Sequence, residues 1–144
     1  MHLYNILKRD GIGLLKRRDS RENAFIIIFE SFFLNAPADQ LIKLSTNFSD
    51  LEFDSYSSNL VFGVLKHRDL LNRKIEVYLK NWEIKRISQV LLAILEISFY
   101  EILFVEDVDG PVSINEAVEL SKKYFGGDGP AFVNGVLGNF LKSI

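Results

Sequence analysis

Fifteen residues, VLLAILEISFYEILF at positions 90–104, carry only two charges, Glu96 and Glu101, and are apolar on almost every side. A run this long exceeds the usual strand of about five or six residues. It also falls short of the roughly 20 apolar residues that cross a bilayer as a helix. It predicts a helix packed all round, with the other elements arranged about it. A charge inside such a helix is costly unless paired, so Glu96 must either face solvent or meet a basic partner.

Helical spacing recurs elsewhere along the chain. Leu60, Val61, Val64, Leu65, Leu71, Ile75, Tyr78 and Leu79 fall at three- and four-residue steps and predict one long helix, capped by Ser57 or Ser58. Ser113-Ile-Asn-Glu116 has the form of a capping box and predicts the start of another helix. A last helix is expected from Gly129, with Pro130 in its first turn and Phe132, Val133, Val136, Leu137 and Phe140 buried. The stretch AFIIIF, residues 24–29, has strand-like β-branching. It nevertheless follows Asp19-Ser-Arg-Glu22, which matches a capping box with Asp as the cap, and Ala24, Ile27, Ile28 and Ser31 keep a helical step. A helix is predicted there too. The expected fold class is all-α, a bundle of six to seven helices, and 144 residues suit a single domain.

Charge is unevenly placed. Residues 1–21 hold six Lys and Arg against two acids, whereas the rest hold eleven against seventeen, within a net charge of −2. Such asymmetry fits a polyanionic partner, and it fits a solvated arm equally well. Groups that could perform chemistry are few. Cysteine is absent, and the two histidines are His2, at the terminus, and His67. His67-Arg68-Asp69-Leu70 lacks the asparagine that a kinase catalytic loop requires. Asp107 and Asp109 begin no full set of calcium ligands, and no Lys-Ser/Thr follows the glycines at 126–129 to make a phosphate loop. No catalytic constellation, metal site or cofactor is expected. The first residues lack the apolar core of a signal peptide, so a soluble, cytoplasmic protein is expected.

Five blocks carry a resemblance: RRDSRENA at 17–24, LVFGVLKHRDLLNRKIEVYLKNW at 60–82, AILEISFYEIL at 93–103, SINEAVELSKKYFG at 113–126 and FVNGVL at 132–137. In this order and spacing they resemble the NusB family of bacterial transcription antitermination factors, over roughly residues 16–142. The resemblance implies two packed helical subdomains. It also implies binding to the boxA RNA of ribosomal RNA leader transcripts together with NusE, a small-subunit ribosomal protein, within the RNA polymerase antitermination complex. It points to Lys16, Arg17, Arg18 and Arg21 at the basic end, and to Phe132, as RNA-binding residues. Residues 16–144 then form the RNA-binding domain, and residues 1–15 an extension without a counterpart.

The chemistry agrees. Arginines present planar donors to phosphates and base edges, a helix N-terminus adds oriented amides, and an aromatic ring can stack on an unpaired base. The spacing of Phe132 fits a core position as well. Several positions depart from the family pattern. Leu91 and Leu92 stand where an acid–arginine pair is usual, the acid helping to hold NusE, and Glu96 replaces an arginine. Phe29 replaces a tyrosine, and Ala131 a lysine. Weaker RNA binding and a rearranged NusE contact are therefore expected. The alternative is a helical protein-interaction module, or homodimer, without specific RNA binding. NusB-like domains also precede some ribosomal RNA cytosine methyltransferases, and with its sequence ending at Ile144 this chain is expected to be catalytic only as a piece of such a protein.

Overall fold

The computed structural model describes residues 15–80 and 83–144. Among the described residues it contains seven α-helices, one short 3₁₀ turn and no strand. The chain divides between Lys66 and His67 into two compact units. No helix is long and apolar enough to cross a membrane among the described residues.

The first unit holds α1 (Arg17–Glu30), α2 (Ala38–Phe48) and α3 (Ser55–Lys66), with α1 packed chiefly on α3. The β-branched stretch at 24–29 is helical, and magnitudes explain why. Ile27 and Ile28 are fully buried, each burial contributing about 1.5–3 kcal/mol, whereas the propensity penalty of such a residue is at most about 0.7 kcal/mol. Ala24, Phe25, Leu41, Leu60, Val61 and Val64 complete this core.

Helix starts differ from the sequence expectation in four places, three of them between Lys16 and Arg68 and the fourth around Ser113. Helix α1 begins at Arg17 with Lys16 as N-cap, so Asp19 lies inside the first turn, where its charge suits the helix dipole but caps nothing. Helix α3 is closed not by Ser57 or Ser58 but by Asp54. One Asp54 carboxylate oxygen accepts the Ser57 amide at 2.8 Å, and the Ser57 hydroxyl accepts the Asp54 amide at 2.9 Å, a reciprocal box. The predicted long helix is also two. His67, at φ −104° and ψ 16°, leaves helical geometry, and a new helix follows. In the sequence the seven residues from Val64 to Leu71 keep a helical step, so the spacing gives no sign of the break.

The second unit holds α4 (Arg68–Val77), the 3₁₀ turn Ile84–Arg86, α5 (Gln89–Phe104), α6 (Gly110–Tyr124) and α7 (Gly129–Lys142). Helix α5 is the expected central element. Residues 91–99 are buried without interruption, and α4, α6 and α7 all pack on it. Ser88 caps it, its hydroxyl accepting the Val90 amide at 3.1 Å. Phe99 of α5 and Phe140 of α7 stack at 4.0 Å between centroids, within 8° of parallel. Between α6 and α7 the chain reverses through Gly126 and Gly127, at φ 80° and 52°, where a side chain would be strained. Helix α7 starts at Gly129 as expected and buries Val133, Val136, Leu137 and Phe140. Phe132, in its first turn, is only half-buried.

Ser113 opens no helix: α6 begins at Gly110, with Asp109 as N-cap and Pro111 in the first turn. Ser113 instead lies buried, donating to a Glu101 carboxylate oxygen at 2.7 Å and sharing a hydrogen bond with the Ser98 hydroxyl at 2.8 Å. Replacing it by alanine removes a bond to a buried carboxylate and should cost about 2 kcal/mol. Urea unfolding of S113A checks this; a loss below about 0.5 kcal/mol would show the network to be dispensable.

Glu96 finds the basic partner that its burial demands. Fully buried, it receives the Arg68 guanidinium edge-on, with Nε 3.0 Å from one oxygen and Nη2 3.1 Å from the other. Burial still dominates, raising the carboxyl from 4.5 to about 7 against the lowering effect of Arg68.

Candidate nucleic-acid interface

In the first unit, the basic residues occupy the opening turn of α1. Lys16, Arg17 and Arg18 are exposed, but Arg21 is not: only 5% of it is accessible. Helix phase accounts for the burial of Arg21, and position at the helix end for the exposure of Arg17, which lies four residues earlier on the same face. Arg21 precedes Ala24, Phe25 and Ile28 by three, four and seven residues, which puts it on the buried face. Its long stem packs there, while Arg17 and Arg18 one turn earlier reach solvent.

A tyrosine that the charge pattern could not indicate organises this turn. The Arg17 guanidinium carbon lies 3.6 Å from the centroid of the Tyr56 ring, and that of Arg21 lies 5.9 Å from the same centroid. Tyr56 belongs to the first turn of α3. The two helix starts are also joined through hydrogen bonds. The Ser20 hydroxyl donates to the second Asp54 carboxylate oxygen at 2.9 Å, and the Asn23 amide group donates to the Glu52 carbonyl at 2.7 Å. In the sequence, Ser57 or Ser58 read as the helix cap and Asp54 carried no such signal, because Asp and Ser are as common in turns as in caps.

Chemically, the turn offers two exposed guanidinium groups, an ammonium group and the opening amides of a helix. All are suited to an anion with planar parts. Asp19 in the same turn moderates the potential.

Phe132 belongs to the second unit and is described within it. Its ring borders two open surface recesses. One, of about 320 Å³, also involves Tyr78, Lys80, Ala131 and Asn139. The other, of about 240 Å³, involves Arg86, Leu91, Phe125 and Asp128. A half-buried ring beside open recesses can stack on a planar group, which a fully buried one cannot. Lys80 reaches its place through a left-handed backbone, φ 57°, rare for a residue with a side chain. Lys80, Arg86 and Phe125 carried no signal in the sequence, and Tyr78 read only as part of an apolar stripe, since their proximity to Phe132 is tertiary. Lys122 and Lys123 are exposed, Lys122 beside Glu119 at 3.2 Å.

The family model described as the NusB family matches residues 18–142. The chain belongs to the NusB family. It is 40% identical over 134 residues to the transcription antitermination protein NusB of Clostridium novyi (strain NT), covering 90% of this chain and all of that one. Among solved structures it is similar to T. maritima NusB, with a TM-score of 0.78 and 26% identity, covering 89% of this chain and 92% of that one. A structure of the antitermination factors NusB and NusE in complex with double-stranded RNA matches its fold with a TM-score of 0.79 at 23% identity, covering 89% of this chain and 97% of that one.

Within the NusB fold, the departures at 91, 92 and 96 acquire a structural meaning. Leu91 and Leu92 are 6% and 9% exposed, packed rather than presented. Glu96 is committed to Arg68 inside the second unit.

Proposed function

We propose that this NusB-family chain acts as a transcription antitermination protein that binds boxA RNA of ribosomal RNA leader transcripts together with NusE. It does so in the cytoplasm, as a binding component of the RNA polymerase antitermination complex and without catalysis. The observation that carries this reading is the exposed basic opening turn of α1, with Arg17 held on Tyr56. Lys16, Arg17 and Arg18 meet phosphates and bases directly, Arg21 supports them from the buried face, and Phe132 offers a ring to an unpaired base. The RNA-binding domain spans residues 16–144, and residues 1–15 stand before it as an extension. With leucines packed at 91 and 92 where the family pattern has an acid–arginine pair, the NusE contact is rearranged onto other residues.

Fluorescence anisotropy of labelled boxA RNA, with and without NusE, at two salt concentrations and beside a scrambled RNA, tests the reading. Sequence-selective binding that NusE tightens and salt weakens is expected, because neutralised phosphates release counterions. Binding blind to both sequence and NusE would overturn it in favour of a protein-interaction module or homodimer.

A further inference from the structure

We propose that Tyr56 is a positioning residue of the RNA surface: its ring fixes the plane of the Arg17 guanidinium, so that the N–H edge and the outer face of that group are set before RNA arrives. The proposal rests on the RNA-binding reading above. At 3.6 Å from the ring centroid, a guanidinium carbon leaves no room for a nitrogen pointing into the ring, so the group must lie close to flat on it. Lying flat, its donors point outward in their own plane, and its second face, on an exposed residue, is presented to a nucleobase.

The ring is itself held. Tyr56 sits between Asp54 and Ser57, which close the reciprocal cap of α3, and Asp54 also takes the Ser20 hydroxyl of α1. The stack therefore joins two helix starts already fastened to each other. Nothing in the sequence marks Tyr56, which lies 39 positions from Arg17 in a polar stretch.

The test compares Y56L, Y56F, R17A and R17A/Y56L in anisotropy titrations with boxA RNA. Leucine keeps an apolar bulk but removes the aromatic face; phenylalanine keeps the face and removes the hydroxyl. Y56L should weaken binding roughly three- to tenfold, while Y56F stays within about twofold of the unaltered protein. In the R17A background, Y56L should add nothing, since a residue acting through Arg17 has no effect without it. Unchanged affinity of Y56L, or losses for R17A and Y56L that multiply in the double variant, would overturn the assignment of Tyr56 and leave RNA binding standing. Failure of the unaltered protein to bind the RNA selectively would overturn both. NMR of the free protein reads the geometry alone: the Arg17 Nε–H resonance should show a ring-current shift that Y56F keeps and Y56L abolishes. A resonance without that shift in the unaltered protein would overturn the stack itself.

Discussion

Replacing Arg17 and Arg18 together by alanine should lower the affinity for boxA RNA by about a hundredfold at low salt while leaving helix content unchanged. Each guanidinium makes charge-assisted hydrogen bonds worth about 1.5–3 kcal/mol when its partner is an anion, and both are exposed, so their removal opens no cavity. The salt dependence should flatten as well, by about 0.7 in the slope of log K against log salt for each lost phosphate contact on a single strand. Arg21 is deliberately left in place. Being buried beside Tyr56, it would confuse loss of RNA contact with loss of packing, and R21A should lower the melting temperature as well as the affinity. Anisotropy at matched salt, beside circular dichroism of the same samples, decides the matter. Unchanged affinity in R17A/R18A would place the RNA elsewhere on the protein.

The second large effect concerns stability. Replacing Arg68 by leucine should destabilise the protein by about 3–5 kcal/mol at pH 8, because buried Glu96 must then either stay ionised without its counter-charge or take up a proton that the unfolded chain has released. At pH 5 the same substitution should cost far less. In the native protein, the Glu96 carboxyl is raised to about 7 by burial, above its ordinary 4.5. Between these values the unfolded chain has released its proton and the folded one has kept it, so stability falls as pH rises through this window and levels off above about 7. Loss of Arg68 removes the influence that lowers the carboxyl, so the decline should continue to higher pH. Urea unfolding of R68L at pH 5 and pH 8 reads this directly. An equal loss at both would assign Arg68 a packing role only. The double variant R68L/E96L should recover most of the stability, since a buried ion pair can be replaced by apolar groups of similar size.

The all-round apolar run at 90–104 and the buried face of α7 were legible because burial imposes a periodicity that survives without tertiary knowledge. Glu96 was legible in the same way: a charge in an apolar helix demands a partner, although nothing local named Arg68. Helix starts, apart from that of α7 at Gly129, were not. Asp19, Ser57 and Ser113 all sit in plausible capping patterns, yet each lies inside a helix that starts earlier. A four-residue pattern records what a side chain could bond, not which neighbour it meets, and Ser113 met Glu101 instead. Of the candidate RNA surface, the charge excess pointed to residues 1–21, and the resemblance to Lys16, Arg17, Arg18 and Arg21 within them. The burial of Arg21 could have been read from its step to Ala24, Phe25 and Ile28. Tyr56 could not, because its meeting with Arg17 depends on how α1 and α3 pack.

The Asp54 carboxylate serves two helix ends at once, one oxygen on the Ser57 amide of α3 and the other on the Ser20 hydroxyl of α1. Helix termini ordinarily fray, and their amides are the first to exchange with solvent. In this protein the basic terminus is the fastened one. Its backbone is ordered in advance, so association is spared the entropy of arranging it, and the benefit should show as a long residence time of the complex more than as rapid capture.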